Sequence, residues 1–148
     1  MSLILQIDSD YIEAYKNKDE LTVSVLRLLK TALKNLSIEK KTELTNQDAI
    51  TVITKEIKQR REASIEYEKG GRQDLAGKEK DEIVILSKYL PEQMGEDEIR
   101  TIVSETLSVK SYTKEQTGRA IGEVMSKVKG RADGGLVARL VNEYLAGN

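Results

Sequence analysis

Histidine, cysteine, tryptophan and phenylalanine do not occur in this chain, and proline occurs once, at Pro91. Without cysteine there is no disulfide, thiolate nucleophile or cysteine zinc site, and without histidine there is no imidazole base, proton shuttle or metal ligand. Most familiar catalytic constellations are thereby excluded, and neither a metal nor a cofactor is expected. With no Phe or Trp, six tyrosines supply all the aromatic rings, and nothing supports a β-rich fold of short punctuated strands. No charge sign dominates: 24 Lys+Arg stand against 25 Asp+Glu, which excludes both a disordered acidic tail and a basic nucleic-acid coat. No run approaches the roughly 18 apolar residues of a membrane span, so no membrane partner is expected. The first eight residues carry no basic segment ahead of their short apolar run, which makes the cytoplasm the expected address.

What is present is a chain of 148 residues, 39% apolar and 33% charged, long enough to bury a real core as one domain or two small ones. Its hydrophobic pattern is helical nearly throughout, and the expected fold class is all-α. Ser2 caps a first helix carrying Leu3, Ile7, Tyr11, Ala14 and Tyr15, and Asp19 caps a second in which Leu21, Val25, Leu28, Leu29, Ala32, Leu33 and Leu36 form a wide apolar face up to about Lys40. Thr45-Asn46-Gln47-Asp48 resembles a capping box with Asp in the fourth place, behind Leu44 as a staple. The third helix it opens has an Ile50, Ile53, Ile57 stripe, then turns polar over 58–69, where it is expected to project from the core or pack lightly until Gly70-Gly71 stops it. A fourth helix over about 72–90 sets Leu75, Glu79, Ile83, Leu86 and Leu90 on one side.

Pro91 forbids its continuation, which divides the chain into an N-terminal four-helix domain, 1–91, and a small C-terminal three-helix domain, 92–148. The last three helices are expected over 96–108, 115–129 and 133–146, each with one apolar side that only its neighbours can bury. Gly118, Gly122 and Met125 fall at i, i+4 and i+7, a spacing that suggests a close helix crossing.

Charge is uneven along this chain. Between residues 117 and 141, Arg119, Lys127, Lys129, Arg131 and Arg139 face only Glu123 and Asp133, so this end is positive while the remainder is negative, and a polyanion would meet it first. Two readings fit the same residues. In one, basic side chains converge on a phosphate where one helix ends and the next begins, with glycines such as Gly134 allowing close approach. In the other, Gly130 is a C′ glycine, Lys127 and Lys129 complement the helix dipole, and Asp133 is an ordinary N-cap. An Asp133 cap would occupy the amide of Gly135 or Leu136, which leaves any anion to the Lys and Arg heads. No Walker A loop occurs.

Arg27, Lys30, Lys34 and Lys41 line one stripe of the second helix. It reads either as a track for a nucleic-acid backbone or as a solvated face, and Lys55, Lys58, Arg60 and Arg61 on the third helix read the same way among interleaved glutamates. The carboxylates of Asp81, Glu82, Glu92, Glu96, Asp97 and Glu98 are expected in polar surroundings at helix starts, where acids favour the dipole, rather than as a catalytic pair. No residue is singled out as catalytic.

Five ordered motifs carry a family resemblance over nearly the whole chain. Segments 24–35 and 56–61, the turn Tyr67-Glu68-Lys69-Gly70-Gly71 with its continuation to Leu75, Tyr89-Leu90-Pro91-Glu92-Gln93-Met94, and Lys127-Val128-Lys129-Gly130-Arg131-Ala132-Asp133-Gly134 closely resemble the YqeY-like (GatB/YqeY) family. The resemblance implies an all-helical protein whose small C-terminal domain is similar to the tail of the B subunit of the glutamine-dependent tRNA amidotransferase, a tRNA-contacting appendage remote from the chemistry. Carried onto this chain, it points to Lys127, Lys129, Arg131, Asp133 and Gly134. Ser126 and Arg139 depart from the family pattern, the latter by adding charge. The expected function is a free-standing, non-catalytic tRNA- or RNA-binding accessory, with an amidotransferase or aminoacyl-tRNA synthetase as a further partner. The alternatives are a helical protein-interaction accessory, or an auxiliary component of a carbon–nitrogen ligase that uses glutamine as amide donor. A chain without cysteine, a Walker A loop or an amidase serine–lysine arrangement cannot run that ligation alone.

Overall fold

A computed structural model describes residues 2–147, and every described element is helical: seven α-helices and one 3₁₀ turn. The chain divides into two compact units, the first ending at Leu90 and the second beginning at Pro91.

The first unit holds α1 (Leu3–Lys16), α2 (Glu20–Lys40), α3 (Asn46–Lys69) and α4 (Gln73–Ser87). Local sequence sets their starts. Ser2 accepts from the Leu5 amide, Asp19 from the Thr22 amide, and Thr45 and Asp48 close a reciprocal capping box, each satisfying amides that the first helical turn leaves without partners. Ile7, Val25, Leu26, Leu29, Ile53 and Leu86 are fully sealed from solvent in the centre of this unit. At about 1.5–3 kcal/mol per large aliphatic side chain, their burial is the main term holding α1, α2, α3 and α4 together. The fourth helix ends at Ser87, short of the expected residue 90; Pro91 disfavours helical geometry at Leu90, and Tyr89 and Leu90 form a turn instead. Tyr89 then reaches back to α1, its hydroxyl donating to Asp10 Oδ2 at 2.6 Å. Burial and that bond push the phenol well above its ordinary pKa.

Two expectations fail here for one reason. The polar half of α3 does not project: α4 folds back along it through the Gly70-Gly71 turn, with Gly71 at φ 75°. Arg60 and Ser64 are buried, and so is Glu82, which lies inside α4 rather than in polar surroundings at a helix start. Arg60 Nη1 donates to the Glu56 carbonyl at 3.1 Å and to Glu56 Oε1 at 3.3 Å, and Arg60 Nε lies 3.8 Å from Glu82 Oε1. Ser64 Oγ donates to the Ala76 carbonyl. Arg60 is therefore part of a buried ion-pair cluster and not of a solvated face. Nearby Glu79 is held above its usual range by burial and by the like charge of Glu82.

The second unit packs α5 (Glu96–Leu107), a 3₁₀ turn (Lys114–Gln116), α6 (Thr117–Val128) and α7 (Gly134–Ala146). Its core is Ile99, Val103, Leu107, Ala120, Val124, Val128, Val137, Leu140 and Val141. On α6 the packed face is Ala120, Val124 and Val128. Gly118 and Gly122 lie two residues out of phase with it, about 200° around the helix. They are exposed, and a Cβ added at either would meet nothing within 4 Å. The expected close crossing at these glycines is absent.

Candidate nucleic-acid interface

The corner between α6 and α7 is built from backbone outward. The last turn of α6 ends with Lys129 at φ 35° and Gly130 at φ 80°, two consecutive left-handed residues. For lysine that conformation costs about 1–2 kcal/mol, and it swings the chain out of the helix. The turn is then clamped to the segment after Pro91: the Met94 amide donates to the Arg131 carbonyl at 2.7 Å, Gln93 Nε2 donates to the Gly130 carbonyl at 3.0 Å, and Arg131 Nε donates to the Glu92 carbonyl at 3.1 Å. Asp133 caps α7, its Oδ2 accepting from the Leu136 amide at 3.1 Å.

These contacts sort the sequence-selected cations. Lys127 and Lys129 are exposed, and the side chain of neither makes a hydrogen bond or salt bridge among the described residues, although the Lys127 charge helps lower the pKa of Glu123 one turn earlier. Arg131 is half-buried and oriented by the Glu92 carbonyl, which takes one guanidinium N–H and leaves the charge uncompensated. Arg119 is exposed eight residues before Lys127, about 12 Å away along α6. Arg139 is not part of the corner's free charge. It donates to Glu96 Oε1 and Glu143 Oε1, each at 3.0 Å, while Arg100 bonds the same two acids at 3.0 and 3.2 Å, closing a ring of alternating charges between α5 and α7. Hydrogen bonds from Arg139 and then Arg100 hold the Glu96 carboxyl below its usual range. Gly134 opens α7, where a Cβ would make an ordinary contact 3.9 Å from Met125 Cε. Because Asp133 occupies the amide end of α7, an anion here meets side-chain cations and not a backbone cradle.

Arg27, Lys30 and Lys34 lie in the other unit, where they line an open cleft of about 730 Å³ between α1, α2 and the α2–α3 loop. Lys30 is half-committed: its Nζ lies 3.4 Å from Asp8 Oδ1 and 4.5 Å above the Tyr11 ring centre. Arg27 Nη2 donates to the Tyr11 hydroxyl at 3.4 Å. The Lys34 side chain is exposed without a hydrogen bond or ion pair among the described residues, and Lys41 follows the last residue of α2 in a left-handed conformation. The cleft itself was not legible from spacing, because its other wall, Leu5, Asp8 and Tyr11, comes from a different helix.

The two compact helical units, one carrying a charged corner and the other a cation-rimmed cleft, define an all-helical, two-unit protein. The chain matches the YqeY-like protein family over residues 4–145 and belongs to that family. Among curated relatives it is similar to "Altered inheritance of mitochondria protein 41, mitochondrial" of Pyrenophora tritici-repentis, 28% identical over 143 residues, which is 95% of this chain and 79% of the relative. Proteins of the same description from Vanderwaltozyma polyspora and Candida glabrata are 33% and 31% identical over 88 and 93 residues, 59% and 62% of this chain. Those two matches span about half the length of each yeast protein, 48% and 51%. No described helix is long and apolar enough to cross a membrane.

Proposed function

We propose that this chain is a non-catalytic helical accessory that binds tRNA or another RNA through the α6–α7 corner. The observation that supports it is the exposure of Lys127 and Lys129, neither of which forms a salt bridge among the described residues, next to an Arg131 whose guanidinium is fixed by the Glu92 carbonyl. Three cations within five residues of one turn suit backbone phosphates, which need charge and donors but no particular base edge. Arg139 has no part in this reading. In it, the second unit is the free-standing counterpart of the amidotransferase B-subunit tail, and a carbon–nitrogen ligase or an aminoacyl-tRNA synthetase is the machinery it serves. Its compartment is then one in which tRNA is used, the cytoplasm or, as in the names of the fungal relatives, the mitochondrion.

A titration of the full chain with bulk tRNA at low salt tests the reading; saturable binding is expected, and its absence removes the proposal. A pull-down with and without nuclease separates the alternatives: partners lost on nuclease treatment support RNA, and partners retained support a protein-interaction role. An auxiliary part in amidation predicts that added protein changes glutamine-dependent amidation of misacylated tRNA, and an unchanged rate over a wide concentration range excludes that part.

A further inference from the structure

We propose that the α1–α2 cleft of the first unit is a docking groove for an acidic amphipathic helix of a partner protein. The cleft lies in a different unit from the RNA corner, so this inference stands or falls independently of the RNA reading.

The groove combines two kinds of surface. Its apolar lining comes from Ile4 and Leu5 of α1, Leu33 of α2 and Leu44 of the following loop. Leu5 is 59% exposed. Leu5, left in water beside Ile4 and Leu44 in the lining of a cleft of about 730 Å³, marks an interaction surface rather than scattered exposure; the volume falls within the roughly 300–1,000 Å³ of ordinary binding clefts.

The second surface is a row of cations on the α2 wall. Arg27 and Lys34 stand seven residues, two helical turns or about 10.5 Å, apart, with Thr31 between them. Seen from the cleft, α2 thus presents two cations two turns apart with Thr31 between them. The complementary surface is a helix with aliphatic residues along one stripe and carboxylates at matching seven-residue intervals beside it, the arrangement by which flanking charges choose partners in helix pairs. The groove's own acids do not supply that complement. Of the two acids in its lining, Asp8 pairs with Lys30 and Glu43 makes no ion pair among the described residues, and Lys34 makes none either.

Nucleic acid fits the same groove less well. A single strand held in a basic groove stacks its bases on aromatic faces. The one ring lining this groove is Tyr11, whose face Lys30 covers at 4.5 Å, and the rest of the lining, aliphatic, hydroxyl and charged, offers no second ring.

The test uses the full chain and a fluorescent three-heptad peptide with leucine at the first and fourth heptad positions and glutamate beside them, followed by anisotropy. A second peptide replaces every glutamate with lysine. The acidic peptide is expected to bind saturably and the basic one at least about tenfold more weakly. The double variant Arg27→Glu/Lys34→Glu is expected to reverse that order, and Leu5→Asp to weaken the acidic peptide by about tenfold or more. All three positions are exposed, and the helical circular dichroism of each variant is compared with wild type; Lys34→Gln serves as a milder second variant, with a smaller loss in the same direction. Absence of saturable binding by the acidic peptide overturns the proposal. Equal affinity for the two peptides overturns it too, as does loss of tRNA but not of peptide on Arg27→Glu/Lys34→Glu.

Discussion

Arg139 Nη2 lies 3.0 Å from Glu96 Oε1, joining α7 to the first residue of α5 across 43 positions of sequence. With Glu143 and Arg100 the pair closes a ring whose charges cancel, and this removes Arg139 from the positive corner that sequence alone assigns to it. Arg139→Gln is therefore expected to leave tRNA affinity within about twofold, whereas a phosphate-contacting arginine would lower it and reduce the salt slope by about one. The same variant lets the Glu96 carboxyl titrate at higher pH, because the first cause of its depression is gone; NMR titration of Glu96 reads that rise. A large fall in affinity, or an unmoved Glu96, contradicts this assignment.

Arg60 and Glu82 form the buried counterpart, with Arg60 Nε and Glu82 Oε1 at 3.8 Å between α3 and α4. Arg60→Ala leaves Glu82 buried without a cation and is expected to cost about 3–5 kcal/mol in urea unfolding. Arg60→Leu with Glu82→Leu removes the Arg60–Glu82 pair and leaves only Glu56, which is partly open to solvent, without its cation, so it is expected to recover most of that loss. Equal destabilisation in the single and double variants would show that packing volume, and not the unpaired charge, sets the cost.

The contrast between these two pairs and the helix starts shows what the sequence makes legible. Ser2, Asp19 and the Thr45–Asp48 box are readable because a cap closes within three residues of itself. Periodicity likewise identifies Ile53, Leu29 and Val124 as interior. Arg60 and Glu82 lie 22 positions apart, and each is an ordinary surface residue until a second helix is laid against it. The α3–α4 hairpin that buries them was missed for that reason. At the candidate site, Lys127, Lys129 and Arg131 are neighbours in sequence and stay neighbours in the fold. Arg139 loses its place to an acid 43 positions away, and the cleft beside Lys34 needs a wall from α1.

Gly118 and Gly122 illustrate a different ambiguity, since a four-residue repeat of glycines fixes one helical face without saying which face it is. Both turn to open space. Gly122→Ala is accordingly expected to stabilise the protein by about 0.5–1 kcal/mol, through helix propensity and a less disordered unfolded chain. Thermal unfolding that shows destabilisation instead would mean that the backbone at Gly122 is closely approached.

Asp48 carries the clearest acid-sensitive contact. A hydrogen bond from Lys40 at 2.6 Å and another from the Thr45 amide lower its pKa from 3.8 to about 2. Because the folded-state value is depressed, the stabilisation is fully present above the unfolded value near 3.8 and is lost as pH falls through that window toward about 2. The melting-temperature difference between wild type and Asp48→Ala is expected to be constant from neutral pH to about 5 and to shrink steadily below it. A difference independent of pH down to 2 contradicts the assignment.

The most direct measurement of the central claim is the salt dependence of tRNA affinity for wild type and for Lys127→Ala/Lys129→Ala/Arg131→Ala. Each duplex phosphate neutralised contributes about 0.9 to the slope of log affinity against log salt. The triple variant is therefore predicted to keep its helical spectrum, bind more weakly at every salt concentration and lose about two to three units of slope. An identical slope in the two proteins would contradict the assignment of RNA binding to the α6–α7 corner.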